Sequence, residues 1–170
     1  MRTVIIGNSG SGKTWLAKCL AEKTGGLLVH LDDVFWLPGG FDQQRDRADV
    51  SLLIDNRCAE PEWVVEGVYA DLASRFMPCA LNLVWLDLPW VTCKQRLERR
   101  GSESKAHMNR EQSAQGLLEL IVWAEAYWSR QGSSGYSAHL ALYEAFLGQR
   151  SRICSELDAQ HYLSTFLAGD

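Results

Sequence analysis

Short apolar runs alternate along this chain with longer stretches of helical spacing. Val4-Ile5-Ile6, Leu27–Leu31, Glu62–Val68 and Leu81–Pro89 are too short for helices and are flanked by glycine, proline or charged residues. That pattern predicts buried strands, and Ser151–Ser155 predicts a fifth. Between them the period changes. Trp15–Thr24 sets Leu16, Cys19 and Leu20 on one face, with Gly25 as a stop, and Asp42–Cys58 does the same with Val50, Leu53 and Ile54. A helix begins near Trp90 and runs to Gly101. Another, Leu117–Trp128, carries Leu117, Leu120, Ile121, Ala124 and Trp128 as one stripe. Tyr136–Leu147 is helical again, and Asp158 is read as the cap of a last helix containing Tyr162, Leu163, Phe166 and Leu167. Strands alternating with helices, without repeats or a low-complexity linker, predict one α/β domain over residues 1–170. The polar stretch Gly101–Arg110 and the glycine-serine loop Arg130–Gly135 place an expected lid or insert within 101–135.

The first strand leads into Gly7-Asn-Ser-Gly-Ser-Gly-Lys-Thr14, which matches G-x-x-x-x-G-K-[ST] at every fixed position, with a helix behind it. Glycines let successive amides turn inward toward phosphate oxygens, and the following helix adds the positive end of its dipole. Gly7, Asn8, Ser9, Gly10, Ser11, Gly12, Lys13, Thr14 and Trp15 are therefore the expected nucleotide-binding residues, with Lys13 on the β- and γ-phosphates and the Thr14 hydroxyl on Mg²⁺. The spacing predicts a nucleoside triphosphate site.

In open α/β sheets ligands gather beyond the carboxyl ends of strands, so acids at those ends are candidates for chemistry. Asp32 and Asp33 follow the second run, for acceptor binding, proton abstraction or metal contact, with a helix cap or solvated turn as the structural alternative. Glu66 closes the third run, where it would hold Mg²⁺ through water or take a proton; burying a carboxylate without such a purpose is costly. Asp87, at the end of the fourth run, is a second candidate for that metal-holding position; Glu66 is favoured for the chemistry and Asp87 for a structural role. Arg75 is placed for an anionic acceptor, with a surface side chain as the equal alternative. Arg96, Arg99, Arg100 and Arg130 are candidates to close over the transferring phosphoryl group, against the plainer reading of solvated or dipole-complementing side chains. The aromatic loop Phe35–Phe41 could cover an acceptor or simply be a packed turn.

Composition narrows the partners. A net charge of −4 disfavours broad electrostatic binding to nucleic acid, leaving the region Arg96–Arg110 as a local basic patch. No apolar run has membrane-spanning length. Five scattered cysteines without a C-x-x-C pair read as reduced thiols of a cytoplasmic protein, and four histidines show no metal-ligand spacing.

Taken together, the loop at 7–14, His30-Leu-Asp-Asp-Val-Phe-Trp36, Trp63-Val-Val-Glu-Gly-Val-Tyr69, Val84–Pro89 and the Arg96–Arg100 cluster resemble small P-loop kinases of the nucleoside-monophosphate-kinase type. More narrowly they are similar to the adenylate-kinase-related topology modulation proteins, whose H-L-D acid falls on Asp32 and whose third-strand acid falls on Glu66. The Asn that follows in that family is Val68 here. The resemblance covers the first hundred residues or so. It implies a P-loop NTPase three-layer α/β fold, a five-stranded parallel sheet flanked by helices with a short helical lid, and ATP with Mg²⁺. The function expected is ATP-dependent phosphoryl transfer to a small acceptor, nucleotides among the candidates. The alternatives are an ATP-binding regulatory module with little turnover and a nucleic-acid-directed P-loop protein. Oligomeric state is not legible.

Overall fold

The computed structural model describes residues 1–38, 43–101 and 110–168, and only the backbone of 110–114 and 167–168. The apolar runs form strands because branched and aromatic side chains suit a sheet buried on both faces. They are β1 (Arg2–Gly7), β2 (Leu27–His30), β3 (Trp63–Gly67), β4 (Asn82–Leu86) and β5 (Gln149–Ile153). All pair in parallel, in the order β2-β3-β1-β4-β5.

Alternation along the strands feeds two cores. Val4, Ile6, Trp63, Val65, Leu83 and Trp85 face one layer, while Ile5, Val64, Val84 and Leu86 face the other. The first layer is closed by α2 (Leu31–Phe35), α3 (Arg47–Cys58), α4 (Ala70–Phe76) and α7 (Tyr136–Ala145). The second is closed by α1 (Lys13–Thr24), α5 (Trp90–Arg100) and α8 (Glu156–Ala168). The remaining helix, α6 (Arg110–Glu125), packs beside α5 and runs into a 3₁₀ turn, Ala126–Trp128.

Several boundaries differ from expectation for local reasons. Asp32 and Asp33 lie in the first turn of α2, one step past the strand. Helix α3 starts at Arg47, because the Asp46 carboxylate accepts the Ala48 amide at 2.8 Å and caps it there. Helix α4 carries no long periodic signal, and it forms by burying Leu72, Ala73 and Phe76. The expected stripe on α6 ends one residue off: the 3₁₀ turn advances the phase, so Tyr127 is buried and Trp128 is exposed. Strand β5 begins two residues early, because pairing with β4 sets its register. Asp158 is not the cap of α8. The Ser155 hydroxyl accepts the Asp158 amide at 3.1 Å, and the Asp158 carboxylate reaches back to the Cys154 amide at 3.2 Å. All five cysteines are free thiols. Among the described residues no helix is long and apolar enough to cross a membrane. Residues 102–109 of the expected lid, and 39–42 of the aromatic loop, lie outside the described residues.

Candidate active site at the carboxyl edge of the sheet

Strand β1 delivers the chain at Gly7 into a tight loop that ends at Gly12, where α1 begins. Gly10 and Gly12 take the left-handed conformation, at φ 79° and 95°. A Cβ on Gly10 would stand 2.4 Å from the Cys93 carbonyl oxygen, and one on Gly12 2.9 Å from Arg96 Nη1. The loop is therefore pressed onto α5. Asn8 fixes its start: Nδ2 donates to the Ala124 carbonyl at 2.8 Å, and Oδ1 accepts the Ser9 amide at 2.8 Å. Lys13, only 7% exposed, donates from Nζ to the Asn8 carbonyl at 2.9 Å and so lies across the loop. Burial presses its ammonium below the ordinary lysine range, against the pull of Glu66 and Asp32, with Arg100 adding to the depression.

Glu66 is the centre of the polar cluster. It is 7% exposed, and its Oε1 accepts the Thr14 hydroxyl at 2.9 Å and pairs with His30 Nδ1 at 2.7 Å. Burial alone would raise this carboxyl. The His30 hydrogen bond, the Lys13 charge and the Thr14 hydrogen bond outweigh it and hold Glu66 below the usual carboxylate range. The His30 imidazole moves up in turn, chiefly through that same hydrogen bond. Asp32 behaves oppositely. Its side chain is exposed on one side, but the protein packed around its carboxyl desolvates it, and that desolvation is the main cause that raises it. Glu66 and Asp33 add to the rise, and Lys13 and His30 oppose it.

Behind Glu66 the chain is anchored by groups that sequence patterning does not flag. His139 is fully buried; Nε2 donates to the Val68 carbonyl at 2.9 Å, and Nδ1 meets the Tyr127 hydroxyl at 2.6 Å. A carbonyl only accepts, so Nε2 carries the proton and Nδ1 takes one from Tyr127. Trp85 Nε1 completes the chain to the same hydroxyl at 3.2 Å. Burial drives the His139 imidazole down to about 4, so it is neutral. The Ala70 amide adds a bond to the Ser133 carbonyl at 2.8 Å. On the β2 side, Phe35, Trp36 and Tyr69 form an aromatic wall in which Trp36 Nε1 donates to the Tyr69 hydroxyl at 3.1 Å.

The expected site residues thus divide. The loop, Lys13, Thr14, Asp32 and Glu66 converge. Arg96 sits behind the loop rather than over its mouth: Nη1 donates to the Ser11 carbonyl at 2.7 Å, and Nε and Nη2 hold Glu156 at 3.2 and 2.8 Å. Arg100 is exposed at the end of α5, near enough for its charge to reach Lys13, and Arg99 is exposed beside it. Arg130 is held within its own loop, stacked 3.5 Å from the Trp123 ring and bonded to the Trp123 carbonyl and to Ser134. Arg75 is exposed in the last turn of α4, which leads away from this edge toward the start of β4. Trp15 is 51% exposed on α1. Asp87 is tied to Arg152, Oδ2 accepting at 2.6 and 3.0 Å. A cavity of about 890 Å³ lined by Met1, Lys23, Glu62, Arg152 and Tyr162, among others, shares no residue with the loop, so size alone does not mark this site.

The donor set fits a triphosphate with a divalent cation. Glycines leave room where a Cβ would collide, the buried Ser11 hydroxyl has no hydrogen-bond partner among the described residues, and Thr14 and Glu66 present hard oxygen ligands in contact with each other. Among the described residues no group of three or more His, Cys, Asp or Glu side chains could hold a metal alone. A cation here would draw its remaining ligands from phosphate and water.

Loop, sheet order and flanking helices define a P-loop NTPase α/β fold. A solved kinase and a solved uncharacterized protein share it over essentially the whole chain. A shikimate kinase from Acinetobacter baumannii, solved with shikimate, aligns over 100% of this chain and 95% of its own, with TM-score 0.55 and 16% identity. An uncharacterized protein from Eubacterium ventriosum aligns over 98% and 96%, with TM-score 0.50 and 15% identity. A gluconokinase from Sinorhizobium meliloti aligns over 98% and 93%, with TM-score 0.48 and 15% identity. No protein-family model and no curated protein matches the sequence.

Proposed function

We propose that this protein is an ATP-dependent phosphotransferase acting on a small hydroxylated acceptor, a sugar-like or nucleotide molecule. The observation that carries the reading is the convergence of Lys13, the Thr14–Glu66 pair and Asp32 on one edge of the sheet. Lys13, already desolvated, would exchange the Asn8 carbonyl for phosphate oxygens, and the loop amides would cradle the phosphate chain. Thr14 and Glu66 would hold Mg²⁺, which supplies charge neutralisation to the phosphates when bound. The two acids then take different roles. Glu66 stays ionised under two donors, which suits metal and water positioning. Asp32, with no such donors among the described residues and a carboxyl raised chiefly by desolvation, suits taking the proton from an acceptor hydroxyl. Phe35, Trp36 and Tyr69 would wall the acceptor, and Arg100 would meet the transferring group. The shikimate kinase of similar fold was solved with shikimate, a small hydroxylated molecule, which supports this acceptor class. The narrower likeness to topology modulation proteins rests on the motif residues alone.

The test is ADP production from Mg·ATP across nucleoside monophosphates, nucleosides, sugars and hydroxy acids, with Lys13→Ala run alongside. Stimulation by one acceptor class, lost in the variant, is expected. Firm ATP binding with no acceptor-dependent turnover would favour a regulatory ATP-binding module instead.

A further inference from the structure

We propose that His30 is a positioning residue for Glu66, and through Glu66 for the divalent cation that accompanies a bound triphosphate. This rests on the nucleotide-binding part of the proposed function and not on transfer to any acceptor. His30 is the last residue of β2 and the direct register partner of Glu66 on β3, so parallel pairing sets the two side chains on the same face. His30 Nδ1 lies 2.7 Å from Glu66 Oε1, and the Thr14 hydroxyl donates to that same oxygen at 2.9 Å. Two donors converging on one oxygen fix the carboxylate's rotation. Among the described residues the other oxygen, Oε2, accepts no hydrogen bond, so it is the one left to face a cation or its water.

Thr14 benefits as well. Giving its proton to Glu66 turns its lone pairs outward, the orientation that metal ligation requires. Without the imidazole N–H, only the Thr14 hydroxyl would hold Oε1. The carboxylate would then be free to turn toward the Lys13 ammonium, whose field already acts on it. That turn would withdraw Glu66 from the cation and engage Lys13 away from phosphate. Among the described residues the groups facing His30 are Glu66 on β3, Asp32 and Asp33 on α2, and Lys18 on α1, and of these only Glu66 makes a hydrogen bond to it. Partners that orient a metal-bound carboxylate matter to metal affinity by about tenfold or more.

The experiment is equilibrium titration of the protein with a fluorescent ATP analogue, once with Mg²⁺ and once with EDTA, at one fixed pH. Wild type, His30→Phe, His30→Gln and His30→Asn would be compared. Wild type should gain affinity from Mg²⁺. His30→Phe should lose most of that gain, about tenfold, while its affinity in EDTA stays within about twofold. His30→Asn, whose amide nitrogen falls where Nδ1 lies, should restore the gain, whereas His30→Gln, whose nitrogen falls at the other ring position, should not. Should the phenylalanine variant fail to fold, the Asn–Gln contrast reads the same point. A wild-type Mg²⁺ gain in folded His30→Phe or His30→Gln overturns the proposal, as does a wild type indifferent to Mg²⁺. A full Mg²⁺ effect with no acceptor turnover would remove the transferase reading and leave this one standing.

Discussion

Lys13 and Glu66 act on each other as two buried charges beneath the more exposed Thr14 and Asp32, and the rest of the cluster is tuned by that pair. Each is 7% exposed, and each is the other's leading charge partner apart from the His30 bond on Glu66. Lys13→Ala should lower transfer by about 10²–10³-fold, the scale of one lost charge stabiliser. Its thermal midpoint should hold or rise, because a desolvated cation is removed; a large drop in midpoint would show that Lys13 is structural. Asp32→Asn should lower the rate by about 10²–10⁴-fold if the carboxylate is the base. In wild type the base must be ionised, so activity should fall as pH drops through the Asp32 carboxyl, which lies above the ordinary aspartate value. A pH–rate profile with its acid limb at or below that ordinary value would assign the proton to another group.

Elements matter here chiefly through what they press together. The phosphate loop is seated on α5 by glycine contacts, and the Gly10 Cα comes so close to the Cys93 carbonyl that no side chain fits. Gly10→Ala should destabilise the fold by about 1–3 kcal/mol, from overpacking and left-handed strain together. Urea unfolding reads this, and ATP affinity should fall with it; an unchanged midpoint would mean that the loop lifts freely from α5. The sequence leaves Arg96 open between facing transferring phosphate and being a solvated or dipole-complementing side chain of its helix. Its guanidinium instead bonds the Ser11 carbonyl and Glu156, joining the loop to the start of α8. Arg130 similarly serves its own loop by stacking on Trp123. For Arg96 short-range spacing cannot show where the long side chain ends, because Glu156 lies 60 residues away; for Arg130 the partners are near in sequence, and the fold of the turn after α6 decides the contact.

For the molecule as a whole, one buried polar chain links α7, the 3₁₀ turn, β4 and the turn after β3. Trp85, Tyr127, His139 and the Val68 carbonyl are all satisfied by it. Its pH dependence follows from the sign of the His139 shift. The folded imidazole stays neutral down to about 4, while the unfolded one takes a proton near its ordinary value. Between these the unfolded state binds more protons, so stability falls as pH is lowered. From pH 7 to pH 5 the loss from His139 should be about 2 kcal/mol, at about 1.4 kcal/mol per pH unit below the ordinary histidine value. His139→Gln, which keeps a donor for Val68, should be less stable at pH 7 and should lose that share of the pH dependence. Urea denaturation at the two pH values checks both; an equal slope in the variant would place the acid sensitivity elsewhere.

Strand identity and the phosphate loop were legible in the chain because both are written in local code. Apolar runs of strand length, a glycine pattern and an adjacent helical period each act within about a dozen residues, and burial on both faces leaves few alternatives. The likeness in fold to the solved shikimate kinase agrees with that reading. Residues that act across the sheet were not legible in the same way. His30 meets Glu66 only because β2 pairs with β3, and Asn8 reaches Ala124 across 116 residues of sequence. His139 finds Val68 only after α7 has packed on β1 and β4. Strand order, helix phase past a 3₁₀ turn and the partner of each charged side chain are set by long-range packing. Burial forces every polar group to find its bond there, and no local pattern records which one it finds.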